Sequence, residues 1–216
     1  MMRTRANVLA YLNPAAKGKP LRRLLAETNP VDRRFFDAPT VELARNLLGC
    51  VLLHGQTAGM IVETEAYLGL NDLAAHASRG KTERTKVIFG PPGRAYVYFI
   101  YGMHECLNVV AEPEGSAGCI LLRALEPLSG LEEMYQRRNW RGSATGLANG
   151  PGKLTQALAI TREDYGKRLD KGDLTIRTWR EQRPFEIAVT PRIGIKECLD
   201  WPLRFTWANH PCLSRP

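Results

Sequence analysis

Among the five cysteines of this 216-residue chain (Cys50, Cys106, Cys119, Cys198 and Cys212) there is no CxxC pair, and their number is odd. That disfavours a disulfide framework and a cysteine-based zinc site. Cys106 and Cys119 lie inside apolar runs, where they read as buried free thiols in a reducing compartment. No apolar run approaches the ~18 residues needed to cross a bilayer, so no membrane segment is expected. Internal repeats, low-complexity blocks and linkers are also missing, which favours one domain. In the first 30 residues acid is scarce: Glu27 alone faces Arg3, Arg5, Lys17, Lys19, Arg22 and Arg23, with Pro14 and Pro20 interrupting any helix. Residues 1–30 therefore read as a basic, flexible extension, either a solvated tail or an Arg-rich transit segment, with no h-region for secretion. Residues 31–216 read as a single domain.

What is present begins with charge. Thirty Lys and Arg against 22 Asp and Glu give a net charge of +8. Such a balance favours an anionic partner, of which nucleic acid is the commonest. With 44% hydrophobic and 24% charged residues the composition is that of a globular protein.

The hydrophobic pattern predicts an α+β domain. Val41, Ala44, Leu47 and Leu48 recur at helical spacing until Gly49, giving a helix over about 40–48. Strand-like runs follow in CVLLHG, MIVETEAYLG, RAYVYFIYG, CLNVVAE and GCILLRALEP, with connections mostly too short for crossovers, so the sheet should be largely antiparallel. LSGLEEMYQRR reads as a second helix capped by Ser129 and GPGKLTQALAI as a third. LTIRTW, FEIAVTPRI and LRFTWA read as closing strands.

Three features carry chemistry. Strict alternation in MIVETEAYLG places Ile61, Glu63, Glu65 and Tyr67 on one face and Val62, Thr64 and Ala66 on the other. The acidic face then meets solvent or lines a cleft. Between this strand and RAYVYFIYG lies a basic loop with His76, Arg79, Lys81, Arg84, Lys86 and Arg94, a composition suited to phosphate oxygens or simply to solvent. GPGKL, Gly150 to Leu154, sets backbone N–H groups and Lys153 at a helix start, a geometry that binds phosphate without the full P-loop pattern.

Taken in order, FFDAPTVELARNLLG, IVETEAYLG, GKTERTKVIFGPPGRAYVYFIYGMHECLNVV, LLRALEP and GPGKLTQALAI make the chain resemble the alkyladenine (3-methyladenine) DNA glycosylases, especially bacterial members. The resemblance covers roughly residues 34–205. It implies a curved, largely antiparallel sheet with surrounding helices, and a cytoplasmic monomer acting on double-stranded DNA with damaged purines. It implies no metal and no cofactor. Glu65 would orient and deprotonate the attacking water, with Arg123 near that water. Tyr67, His76 and Tyr98 would hold the extruded base, Asn108 would disfavour guanine's exocyclic amine, and Tyr101 would fill the gap in the stack. Arg79, Lys81, Arg84 and Lys153 would meet the DNA backbone.

The chain departs from the family pattern at Glu105, where an aromatic is expected and a carboxylate could repel phosphate. Tyr96 reads as a core residue with its hydroxyl at the surface. Two other functions fit some features: a module that binds damaged DNA without chemistry, and a hydrolase of free nucleosides, which would have no use for Tyr101. No lysine is marked in the sequence as desolvated, so no lyase step is expected.

Overall fold

The computed structural model describes residues 18–100, 102, 104–181 and 184–215. Four α-helices occur there: α1 (Leu21–Glu27), α2 (Thr40–Asn46), α3 (Leu131–Arg138) and α4 (Pro151–Leu158). Nine strands accompany them: β1 (Thr28–Pro30), β2 (Val51–His54), β3 (Thr57–Tyr67), β4 (Ala95–Ile100), β5 (His104–Ala111), β6 (Gly118–Ser129), β7 (Leu174–Trp179), β8 (Ile187–Thr190) and β9 (Arg204–Trp207). All pair antiparallel in one open sheet of order β1-β7-β2-β3-β6-β5-β4, with β9 joining β3 and β8 joining β9. The α+β expectation and the antiparallel sheet hold.

β2 and β3 are joined by the two-residue loop Gly55–Gln56, with Gly55 at φ 57°. A glycine with positive φ suits the twist of such a hairpin. On one side of the sheet α2, α3 and α4 bury Leu43, Ala44, Leu47, Met134, Leu154, Ala157 and Leu158 against Leu107, Val109, Ile120, Leu122 and Leu125. Leu24 of α1 packs with Val51, Leu53 and Ala58 on the opposite side. Helix α2 is tied down twice. Glu112 accepts from the Thr40 amide and hydroxyl at 2.8 and 2.6 Å, satisfying free donors of the first turn, and the Thr64 hydroxyl donates to the Ala44 carbonyl at 2.8 Å.

Three expectations need correction. The basic extension does not run to residue 30: Leu21–Glu27 is helical and Thr28–Pro30 pairs with β7, because Leu24 has an apolar surface to bury against. Residues 1–17 lie outside the described residues. Ser129 does not cap α3: it ends β6 opposite Ala58, and Gly130, at φ 68°, starts the helix. The strand expected in FEIAVTPRI shrinks to Ile187–Thr190.

The most consequential correction concerns β3. Its pairing with β6 runs Ile61 to Leu125, Glu63 to Ala124 and Thr64 to Leu122. Val62 is thus an extra residue on β3 and Arg123 an extra residue on β6. Each such bulge breaks the two-residue alternation. Ile61 therefore joins Ala66 in the helix-side core, while Val62 turns to the other face beside Ala124 and Cys212. Simple alternation had assigned these two residues the opposite way round. Glu63 and Glu65 keep the common face expected of them.

Candidate active site

That face is not open to solvent. Glu63 and Glu65 are both fully buried and Arg123 is 8% exposed. The register lines up Tyr96, Asn108, Leu121 and Glu65 across β4, β5, β6 and β3, so residues distant in sequence share one row on one face. The next row carries Cys119 and Tyr67.

Glu65 accepts three hydrogen bonds: the Ile193 amide donates to Oε1 at 2.7 Å, and the Tyr67 hydroxyl and Arg123 guanidinium donate to Oε2 at 2.9 and 3.1 Å. A carboxylate has about four acceptor sites, so about one remains, on Oε1. Burial raises the pKa of Glu65, opposed by Arg123, the Ile193 N–H and the Tyr67 O–H, with Glu63 adding to the rise. Burial outweighs the arginine here and makes Glu65 a stronger proton acceptor.

Glu63 is saturated. Arg123 Nε, Arg204 Nε and the Ser214 hydroxyl donate to its Oε1 at 3.1, 2.8 and 2.8 Å, and the Ser214 amide donates to Oε2 at 2.7 Å. Arg123 thus bridges the two glutamates. An ion pair between Arg123 and Glu126, conceivable from their spacing, does not form: Glu126 lies 3.4 Å from His210.

The aromatic wall is built from three segments. His76 opens a 3-10 turn at His76–Arg79 and its Nδ1 lies 2.9 Å from the Tyr96 hydroxyl. Its ring meets Tyr98 edge-on at 4.5 Å. Burial, with Arg84 and Arg79 nearby, lowers the His76 pKa to about 4, so the ring is neutral at physiological pH. Tyr96 is 1% exposed and its phenol is pushed up to about 12 by burial. Its hydroxyl is therefore enclosed against His76 instead of reaching the surface. Burial likewise raises Tyr67 and Tyr98, keeping both protonated. Arg192 stands 4.6 Å over the Tyr67 ring and Arg84 stands 5.3 Å over the Tyr98 ring.

Asn108 lies on the same face, buried, but its amide nitrogen donates to the Tyr96 carbonyl at 3.2 Å. Tyr101 lies outside the described residues; beside it Gly102 has φ 67°. Arg79, Lys81 and Arg84 are exposed on the loop. Lys153, exposed on the first turn of α4, donates to Asn149 at 2.8 Å. Burial of part of its stem and Arg138 lower its pKa. Gly152 explains where that helix docks: a Cβ there would lie 2.9 Å from the His104 side chain. Glu105 turns toward Arg162, 3.5 Å away, which offsets its charge. Beside it a cleft of about 430 Å³ is lined by Arg84, Val97, Tyr98, Phe99, Arg162 and Tyr165.

Several site residues had no sequence signal. Asp72 receives the Arg192 guanidinium at 2.5 and 2.8 Å with both side chains fully enclosed, and Arg192 also donates to the Ala66 carbonyl. That pair fixes the neighbouring Ile193 amide on Glu65 and the loop leading to His76. Arg204 and Ser214 come from the far end of the chain, and nothing in their local pattern links them to β3.

One His/Asp/Asp grouping, His54, Asp164 and Asp173, has ligand atoms within 4.8 Å of one another. Lys167 already supplies the counter-charge, 2.7 Å from Asp164 and 3.1 Å from Asp173. Among the described residues no helix is long and apolar enough to cross a membrane.

Comparison with known proteins points to one family. The family model for methylpurine-DNA glycosylase matches residues 34–211. A protein of Koribacter versatilis is 49% identical over 201 residues, covering 89% of this chain and 97% of its own. One of Methanoculleus marisnigri is 50% identical over 187 residues, covering 84% and 96%. One of Bacillus cereus strain AH187 is 42% identical over 198 residues, covering 84% and 97%. All three are provisionally named 3-methyladenine DNA glycosylases.

Proposed function

The chain belongs to the methylpurine-DNA glycosylase family, and from that premise we propose that it excises alkylated or deaminated purines extruded from duplex DNA. Water attacks the anomeric carbon, the N-glycosidic bond breaks, and a free base and an abasic site result. The observation that supports this best is Glu65: a buried, upshifted carboxylate with about one acceptor site unused, at the foot of a wall of aromatic rings.

A glycosidic bond to an alkylated purine breaks toward an oxocarbenium-like sugar, and the leaving base is already cationic. The enzyme then needs a base more than an acid. Water held on the free site of Glu65 Oε1 loses its proton to that carboxylate as it attacks, and the carboxylate faces the growing positive charge. This resembles one half of an inverting sugar hydrolase. Arg123 fixes the other oxygen of Glu65 and so sets the direction of the free one.

Extrusion costs a few kcal/mol of stacking and pairing, least for damaged or mispaired bases. In this reading Tyr101 replaces part of the lost stacking. Tyr67, His76 and Tyr98 receive the base; aromatic faces attract a cationic base by ~0.5–2 kcal/mol each, and neutral purines gain less. The neutrality of His76 matters here, since an imidazolium would repel the same cation. Asn108, in this reading, disfavours a guanine amine. Arg79, Lys81, Arg84 and Lys153 neutralise backbone phosphates, so binding weakens with salt. The working unit in this reading is one chain, and it takes in α1 as well as residues 31–216. No metal or cofactor takes part, and no lyase step follows; borohydride trapping would expose one, with Lys153 the amine to watch.

Release of free base from methylated duplex DNA tests the reading. The wild-type protein should release alkylated purines, whereas Glu65→Gln should bind the same duplex and release none. Binding without release by the wild type would instead identify a damaged-DNA-binding protein. Salt-independent turnover of a free alkylated nucleoside would identify a nucleoside hydrolase.

A further inference from the structure

We infer that Glu63 is a positioning residue for the reaction: anchored by Arg204 and Ser214, it holds one edge of Arg123 so that the other edge orients Glu65. The inference rests on the reading of Glu65 given above.

Glu63 cannot repeat the role of Glu65. Its carboxylate meets four donors, three on Oε1 and one on Oε2, and none of them comes from the aromatic wall that Tyr67 joins to Glu65. A buried carboxylate is expensive to keep, and a chain seeking stability alone would do as well with a packed apolar pair. Its position shows what it does.

Arg123 sits on a bulge, where the sheet does not fix its direction. Three contacts fix it instead: Nε to Glu63 at 3.1 Å, one terminal nitrogen to Glu65 at 3.1 Å and the other to the Ser214 hydroxyl at 3.4 Å. Two of the three depend on Glu63 and Ser214. Glu63 is in turn pinned by Arg204 from β9 and by Ser214, while Arg204 donates to the Arg215 carbonyl at 2.8 Å. Cys212 packs against Val62, the bulge residue beside Glu63. The segment from Cys212 to Arg215 thereby forms the back wall of the catalytic pair. Without Glu63, Arg123 is free to swing wholly onto Glu65, competing for the oxygen that holds water and withdrawing its basicity.

The charged and titratable groups around Glu65 are Glu63 and Tyr67 on β3, Arg123 on β6, Arg204 behind Glu63 on β9, and the Arg192–Asp72 pair in the flanking loops. Of these, Glu63 is one that raises the Glu65 pKa and Arg123 one that lowers it. Replacing Glu63 by an amide removes the first effect and strengthens the second.

Excision rate against pH on a duplex with one alkylated purine tests this. Glu63→Gln should lower kcat about 10- to 100-fold, the scale seen when a supporting contact behind a reactive group is lost. KM should stay as in the wild type, and the acid limb of the pH–rate profile should move to lower pH. Ser214→Ala should shift both in the same direction by less, and Ser214→Thr, which keeps the hydroxyl, should restore them. If Glu63→Gln does not fold, the Ser214 pair carries the test. Wild-type kcat and an unmoved acid limb in these variants would overturn the inference while leaving the role of Glu65 intact. Absence of release by the wild-type protein would instead overturn the proposed function.

Discussion

The two faces of β3 are built on opposite principles. Toward the helices, Ile61 and Ala66 join a continuous apolar core, and the Thr64 hydroxyl is spent on a helix carbonyl. Toward the other side, the same strand buries two carboxylates among three arginines. The first face stabilises by removing apolar area from water, roughly 25 cal/mol per Å². The second must offset the desolvation of several charges, and replacing such groups by apolar ones is often neutral or stabilising. One face therefore holds the fold and the other is retained for what its charges do.

Substitutions that strike one face alone should break that contrast in different currencies. The largest effect is expected from Glu65→Gln: loss of a general base should cost about 10²- to 10⁴-fold in single-turnover base release. Thermal melting of the same variant should be unchanged or higher, since burial disfavours the ionised carboxylate that the amide replaces and Glu63 still faces Arg123. A melting point lowered in proportion to the lost activity would mean Glu65 serves the fold.

Next comes Asp72→Ala, which leaves the Arg192 guanidinium enclosed without its counter-charge. Denaturant titration should register a loss of about 3–5 kcal/mol. Leu122→Ala, on the helix face, should cost about 2–5 kcal/mol of stability through a cavity, yet leave the release rate per folded molecule as it was. If Leu122→Ala slowed release in the folded protein, the two faces would be coupled more tightly than their contacts indicate.

The smallest effects, and the ones that sharpen the contrast most, are in pH. Burial raises Glu65, so its folded form binds a proton more readily than the unfolded chain does. The cost of keeping it ionised is present above the folded pKa and disappears as pH falls through it, so this group favours folding in acid. Asp72 behaves oppositely. Burial pushes its pKa up, but the Arg192 hydrogen bonds and the Leu68 amide outweigh that and hold it below the usual range. Its contribution is complete above the unfolded value of about 3.9 and is lost as pH falls through the folded one. Base release should fall on the acid side at a higher pH than an ordinary glutamate would give, while His76, at about 4, adds no step between pH 5 and 8. NMR titration of His76 in that interval would contradict the second statement.

Much of this was legible in the sequence because local pattern reports local structure. VELARNLLG announced α2, and the alternating runs around Tyr96, Leu107 and Leu122 announced the strands. Arg123 was singled out by the family resemblance that LLRALEP helps to carry, and not by its local pattern. What escaped was non-local. A bulge shows only in pairing, so Ile61 and Val62 were assigned to each other's faces. Ser129 resembled a helix cap because a strand end and a cap use the same residue type.

By itself, then, the amino-acid sequence determined the fold class, the family, the positive charge and the presence of Glu65 and Tyr67 on one strand, because each is written in composition, spacing or an unbroken motif. Only the tertiary structure decided how strong a base Glu65 is and what Glu63 is for. Those depend on Ile193, Arg204 and Ser214, more than 125 residues away along the chain. A carboxylate's proton affinity is set by the water it loses and the donors it meets, and both arrive only when distant segments close around it.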